Sequence, residues 1–364
     1  MEAREAGKQV VGVWRETGPL SVGRYAPGAA LLSDGRVVVA GGYSFERRRT
    51  HATSEIFDPA SELWSRGPVF ATSRNFPLSV TLPGGETLFL SGFSGRTGTT
   101  PAVDLLTPDL RITASAPLVE ERELASLTPL ADGRLLITGG YTTGRERTLD
   151  TAEIYDPRAH HSESTVGKMS AARFGHTGVL LPDGRVLIVG GKLLPGDLDS
   201  RPVELFDPET GRFSLVGELG VGRDRCTAWL LPSQRAVLIA GGSAKAGGTV
   251  PARRCELYDL ETGRIFPGPT LLRDRMAHAI TPLNNGRVLL TGGWCGSENR
   301  TTRFVELWEP EQQQFVPAGV LLAGRHDHVA VRLRDGRVLV AGGKEAPARA
   351  GVETPLEVEL WQEF

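Results

Sequence analysis

Leu181-Pro182-Asp183-Gly184-Arg185-Val186-Leu187-Ile188-Val189-Gly190-Gly191 decides the fold. It reads as the end of one apolar strand, a tight turn, a second apolar strand and a glycine pair. The phrase recurs six more times, ending at Gly41-Gly42, Ser91-Gly92, Gly139-Gly140, Gly241-Gly242, Gly292-Gly293 and Gly342-Gly343, at a spacing of 48 to 51 residues. A fixed period of about 50 residues with several short strands per unit is the pattern of a propeller array. Each unit is a small sheet that cannot bury its own faces and must stack on its neighbours.

The seven copies align on one another. Each opens on an arginine: Arg24, Arg74, Arg122, Arg173, Arg223, Arg275 and Arg325. That arginine starts an apolar strand a, which runs into a turn such as Asp34-Gly35, Gly84-Gly85, Asp132-Gly133, Asp183-Gly184, Asn285-Gly286 or Asp335-Gly336. Gly, Asn and Asp accept positive φ at small cost, so these turns suit hairpins. Unit five has Ser233-Gln234-Arg235 and one extra residue, which predicts a longer hairpin. Strand b is apolar and ends in the glycine pair. A variable loop of eleven to fifteen residues follows, and strand c opens on an acid: Glu55, Asp104, Glu153, Glu204, Glu256, Glu306 and Glu359. Two positions later stands Phe57, Leu106, Tyr155, Phe206, Tyr258, Trp308 or Trp361. A turn, often Asp-Pro, leads to strand d, which carries Trp64, Ile112, Phe213, Ile265 and Phe315 ten residues before the next arginine. In unit three that position is Glu163, so its strand d is weakly specified.

Unit seven stops after strand c. The missing strand is at the other end of the chain, because Trp14 precedes Arg24 by the same ten residues that separate Trp64 from Arg74. The N-terminal segment is therefore expected to complete the last blade and remove an exposed edge. The resulting expectation is an all-β, seven-bladed propeller with four antiparallel strands per blade. It is one domain over 10–364 after a tail over 1–9, with blades at about 24–70, 74–118, 122–169, 173–219, 223–271, 275–321, and 325–363 plus 10–20.

An arginine at the head of strand a, Asp-Gly, Gly-Gly, Glu two before an aromatic, Asp-Pro and then Trp resemble the kelch repeat, over residues 10 to 364. The resemblance implies a kelch propeller in the style of the galactose-oxidase-like and bacterial kelch proteins. It is specific for fold and unspecific for function.

Strands a, b and c are antiparallel neighbours, so the start of a, the end of b and the start of c share one end of the blade. Glycines on b then let each arginine reach the acid on c. Seven arginines face seven acids, and one-to-one matching favours internal ion pairs over an anion-binding ring. Unit two, with Ser91 in place of the first glycine and the shorter Asp104, is expected to pair least well and to leave Arg74 available to a ligand.

Composition excludes little else. A formal charge of −2 gives no global pull toward nucleic acid or anionic lipid, and no run of 18 apolar residues offers a membrane span. The first twenty residues hold no apolar signal-peptide core. A cytoplasmic location and a monomer are expected, barring an export signal already removed. Three cysteines, Cys226, Cys255 and Cys295, make no disulfide framework.

Repeated positions are explained by the repeat, so a site belongs where the copies differ, on loops held by the rigid ring. The a–b and c–d turns are short and share one face. The long, dissimilar b–c loops share the other face with the d–a loops. The b–c loops hold 15 Lys or Arg and 9 Asp or Glu, and the d–a loops 4 basic and 5 acidic residues, so this face carries about +5 on a chain of −2. Arg47-Arg48-Arg49 is the densest run.

The residues after each arginine (Tyr25, Asn75, Glu123, Phe174, Asp224, Met276, His326) and after each glycine pair (Tyr43, Phe93, Tyr141, Lys192, Ser243, Trp294, Lys344) should surround the channel mouth. From these, with Arg74 and Arg225, the expected ligand-binding set is Tyr25, Arg74, Asn75, Tyr141, Lys192, Arg225, Trp294, His326 and Lys344. Arg325-His326-Asp327-His328 is the most chemical tetrapeptide: its histidines, two apart on a strand, share a face and could bind a metal or relay a proton. His328, however, occupies a repeat position also held by His176, His278 and Cys226, which favours a hydrogen-bonded core histidine.

The leading expectation is a rigid binding module that presents this face to an acidic protein or peptide, or to an anionic small molecule, without nucleic acid, membrane, metal or cofactor. The alternative is a small-molecule enzyme, isomerase-, epimerase- or cyclase-like, with acid–base chemistry by His326, Asp327, Asp224 and Glu123 at the mouth. Kelch-type sugar epimerases, which the resemblance brings in, keep that alternative open. Galactose oxidases use copper with a tyrosine radical and adjacent Tyr and His ligands, and this chain has no Tyr-His dipeptide. The iron spacing Glu-x3-Asp-x3-His of the plant specifier proteins is absent too.

Overall fold

The computed structural model of the chain describes residues 12–193, 198–231, 235–243, 252–347 and 353–364. Its main strands form seven four-stranded antiparallel sheets, each in the order a-b-c-d. In blade 1 these are Gly28–Leu31, Val37–Ala40, Thr53–Asp58 and Leu63–Val69. Strands a of neighbouring blades pack on one another around the axis, and strands d lie outermost. Blade 7 consists of Val329–Arg332, Val338–Ala341 and Glu359–Glu363, and Gly12–Glu16 completes it, with Trp14 opposite Trp361.

The b strands read as unbroken apolar runs because they are buried on both faces. Val37, Val38 and Val39 are fully buried, as are their counterparts Val186, Leu187 and Ile188. Buried side chains fall into seven clusters, one at each blade–blade interface. The large residue of strand c, Phe57 in blade 1 and Trp361 in blade 7, sits in them. In unit three strand d is short, His161–Ser164, in keeping with Glu163 at its apolar position. The longer hairpin expected in unit five lies, at Ser233 and Gln234, outside the described residues.

The glycine pair does more than open a gap. In all seven blades the N–H of its second residue donates to the carbonyl of the next blade's arginine, at 2.7–3.0 Å. A β-carbon on Gly41 would stand 2.4 Å from the Arg74 carbonyl oxygen, and its φ is 70°. The pair is therefore the seam between blades. Ser91 fills the first position in blade 2 at φ 62°, and its hydroxyl turns the close approach into a hydrogen bond to the Arg122 carbonyl.

Each blade's arginine is buried and paired. Six of the pairs span 2.5–3.1 Å, from Arg24–Glu55 to Arg325–Glu359. Each arginine also donates to the carbonyl of the first residue of its own glycine pair, as Arg275 does to Gly292 at 2.8 Å. The glutamates in turn accept N–H groups of the preceding d–a loop, such as Leu272 on Glu306 at 2.7 Å. Arg74 does not stay available: Asp104 binds it, the carbonyls of Ser91 and Ala102 take its other hydrogens, and it is 3% exposed. The shorter acid reaches it because a buried guanidinium has no other charge to pair with, so Arg74 leaves the ligand-binding set.

Candidate functional site

The described b–c loops carry regular structure of their own. Among the described residues five of them fold into short ladders: Tyr43–Ser44 with Arg49–Thr50, Phe93–Ser94 with Gly98–Thr99, Tyr141–Thr142 with Arg147–Thr148, Trp294–Cys295 with Arg300–Thr301, and the end of the blade 4 b strand at Lys192 and Leu193 with Leu198–Asp199. Six residues that follow the arginines bridge to those that follow the glycine pairs, Tyr25 to Tyr43 and His326 to Lys344 among them. The two sets expected at the mouth are thus hydrogen-bonded neighbours.

The innermost position is one residue further on. Ala26, Phe76, Leu124, Gly175, Arg225, Ala277 and Asp327 all have φ between 49° and 65°. Six of the seven neighbouring pairs are joined by backbone hydrogen bonds of 2.8–3.1 Å, so these residues form a ring on the axis. Side chains leaving the ring meet across blades that are not adjacent. Arg225 of blade 5 donates to Asp327 Oδ2 of blade 7 at 2.7 Å and lies over the Phe76 ring of blade 2, 5.6 Å from its centroid. The Tyr25 hydroxyl of blade 1 donates to the same Oδ2 at 3.0 Å, and His326 Nδ1 stands 2.8 Å from it. A cavity of about 230 Å³ adjoins the ring, lined by Leu124, Gly175, Arg225, Thr227, Ala277 and Asp327, with Cys226, His176, His278 and His328.

Burial opposes ionisation of Asp327, but Arg225, His326 and Tyr25 outweigh it and hold the carboxyl well below the usual range. Burial and then the charge of Asp327 push the Tyr25 phenol up, so it stays a donor. With Asp327 anionic, His326 directs an N–H at Nδ1 toward it, which orients the imidazole ring. Burial pushes Glu123 of blade 3 up to about 7, against the pull of Arg225. A carboxyl poised there exchanges protons at neutral pH, as acid–base chemistry requires.

The structure therefore brings Tyr25, Arg225, His326 and Asp327 into one hub, with Glu123 and Asp224 in its field. Trp294 stands edge-on to His326 at 6.4 Å, and Lys344 caps Phe45, which packs on Tyr25. Tyr141 packs on Phe174. Asn75 is buried, with its Oδ1 unbonded among the described residues, and Lys192 lies on a strand beside Phe174. Sequence reasoning missed Phe45 and Phe76. The signal for Phe76 was the column two after each arginine, which varies almost as much as the column before it (Ala, Phe, Leu, Gly, Arg, Ala, Asp).

His326 and His328 do not share a face. Asp327 between them has φ 49°, which breaks the strand alternation. His328 turns into the blade interface, where its Nε2 is 2.8 Å from Thr291 Oγ1, as His176 is from Thr138 and His278 from Thr227. Burial keeps His328 neutral, its pKa pushed down to about 3. The hub itself is also not basic, because Asp327 neutralises Arg225 and Glu353 pairs with Lys344 at 3.1 Å. The excess of positive charge lies on the rim.

No protein-family model matches the chain, and no curated protein matches it in sequence. Among solved structures it is similar to a fungal alcohol oxidase of the AA5 family, solved in complex with copper. The TM-score is 0.77 at 14% identity, over 97% of this chain and 76% of that one. At that identity the likeness speaks for the propeller fold alone.

Glu123 gives a signed pH prediction. Its folded pKa of about 7 lies above the ordinary carboxyl value, so between about pH 4.5 and pH 7 the folded protein binds more protons than the unfolded chain. Stability falls as pH rises through that window. Glu123→Gln removes the penalty: the variant is expected to melt higher than the native protein at pH 8 and no higher at pH 4.5. Equal melting differences at both pH values would rule out the raised pKa.

Proposed function

We propose that the protein is a rigid binding module whose b–c face receives an acidic protein segment or an anionic small molecule. One observation carries this reading. Arg47, Arg48, Arg49, Arg96 and Arg254 are exposed on that face and have no acidic partner among the described residues. The arginines of the repeat, by contrast, are all buried in pairs. Unpaired charge held on short ladders around a closed ring attracts an opposite charge with little ordering cost. The kelch-like pattern of the repeat agrees with such a module.

The test is the anisotropy of a fluorescein-labelled octaglutamate titrated with the protein. Affinity is expected to drop by roughly tenfold between about 50 and about 300 mM NaCl, because exposed pairs are screened. Arg47→Ser/Arg48→Ser/Arg49→Ser should weaken binding several-fold at the lower salt. Binding that ignores both changes would end the acidic-partner reading.

A second reading rests on the hub. Asp327 orients His326, Tyr25 remains protonated and Glu123 titrates near neutrality, which together suit proton transfer on a small polar molecule at the mouth. The copper of the similar oxidase does not fit here. Among the described residues no three His, Cys, Asp or Glu side chains stand together as a ligand set. His176, His278 and His328 are committed to threonine hydroxyls.

A further inference from the structure

A groove of about 720 Å³ runs between blades 6 and 7 on the b–c face, away from the axial hub. Three arginines from three different segments line it, with Glu298 and Glu345, which leaves an excess of one positive charge. Arg273 comes from the d–a loop leading into blade 6, Arg300 from the blade 6 ladder, and Arg303 from the run into strand c. Arg300 is neutralised by Glu298, 2.6 Å away. The other two have no acidic partner among the described residues, yet both are held in place. Arg273 lies over the Phe304 ring, 5.4 Å from its centroid. Arg303 donates Nε to the Leu321 carbonyl at 2.5 Å, which leaves its terminal nitrogens uncommitted. Both are exposed.

A guanidinium fixed by its flat face or by Nε presents a fork that matches a carboxylate, and the entropy of fixing it is already spent. Two such forks share the groove with the half-exposed apolar wall of Val320 and with Pro347. The volume is that of a drug-sized ligand, far beyond a single carboxylate.

We propose that this groove binds a short acidic peptide segment, with carboxylates on Arg273 and Arg303 and an apolar side chain against Phe304 and Val320. The proposal deepens the acidic-partner reading of the b–c face and rests on it. It places recognition between blades 6 and 7, whereas the Arg47-Arg48-Arg49 run belongs to the ladder of blade 1, the next blade round the ring.

The probe is a fluorescein-labelled Asp-Glu-Leu-Asp-Glu peptide, set against its amide counterpart Asn-Gln-Leu-Asn-Gln. The acidic peptide is expected to bind, the amide peptide not, and Arg273→Gln/Arg303→Gln should weaken binding by roughly tenfold or more. Both substitutions are at exposed positions, and an unchanged melting temperature confirms the fold. Arg47→Ser/Arg48→Ser/Arg49→Ser should change this peptide's affinity by less than roughly threefold, since none of the three lines the groove. If the rim triple abolishes binding and the groove pair does not, the groove proposal falls while the acidic-partner reading stands. If neither peptide binds, both fall. Displacement of the peptide by inorganic phosphate at equal concentration would make this a phosphate site and overturn the peptide assignment.

Discussion

Glu306→Ala is expected to destabilise the protein by about 3–5 kcal/mol, the usual result of removing one partner from a buried ion pair. Arg275 and Glu306 are both fully buried, and Arg275 Nη2 lies 2.5 Å from Glu306 Oε1. Alanine leaves a guanidinium with no counter-charge in a site without water access. It also strands the N–H groups of Leu272 and Arg273, which donate to Glu306 at 2.7 and 3.0 Å. The pair as a whole is worth much less than this difference, because both ions were desolvated to make it. Arg275→Met/Glu306→Leu should therefore recover the part of the loss that comes from the uncompensated guanidinium, and not the part that comes from the stranded N–H groups. Urea midpoints of the single and double variants decide the matter. A single-variant loss below about 1 kcal/mol would mean that the pair is solvated and that the arginine column is not structural.

Removing residues 1–17 is expected to have an equal or larger effect. Gly12–Glu16 is the outer strand of blade 7, and without it the Glu359–Glu363 strand presents an open edge. Trp14 packs on the core between blades 6 and 7, and its Nε1 donates to the Ala318 carbonyl at 2.9 Å. Arg15 and Arg337 of blade 7 both grip Glu62 of blade 1, so the strand also bolts the first blade to the last. Those two arginines hold the Glu62 carboxyl down at about 2. The truncated protein should melt well below the native one and self-associate through its new edge. Trp14→Ala, which keeps the strand, should lose about 2–3 kcal/mol, less than a fully buried tryptophan because Trp14 is half-buried. Size-exclusion chromatography and thermal melts report both. A truncated protein that stays monomeric with an unchanged melt would contradict closure by this strand.

The fold was legible because seven copies of one phrase act as their own alignment. The Trp14-to-Arg24 offset even revealed the swapped strand. The matched columns of arginines and acids announced their pairing for the same reason. What the columns hid was any role that two blades share. That Gly42 donates to the carbonyl of Arg74, a residue of the next unit, cannot be seen inside one repeat. Arg74 was misjudged because Asp104 looked too short, whereas burial leaves that pair no alternative.

The site was legible in part. The variable column after each arginine pointed to Tyr25, Glu123 and His326, and the Arg325-His326-Asp327-His328 tetrapeptide to Asp327; with Arg225 these meet around the ring. Phe76 was missed because the turn to positive φ, which throws its column onto the axis, has no glycine to mark it except in blade 4. The groove was missed for another reason. Arg273 and Arg303 are thirty residues apart and meet only because strand c and the d–a loop return to one end of the blade.

The central functional claim is that the b–c face, and not the face of short turns, receives the partner. Hydrogen–deuterium exchange with and without octaglutamate tests it most directly. Slowed exchange is predicted in the ladders around 43–50, 93–99, 141–148 and 294–301, with the a–b turns around 33–36, 131–134 and 334–337 unchanged. Protection concentrated on those turns, or spread evenly over both faces, would contradict it.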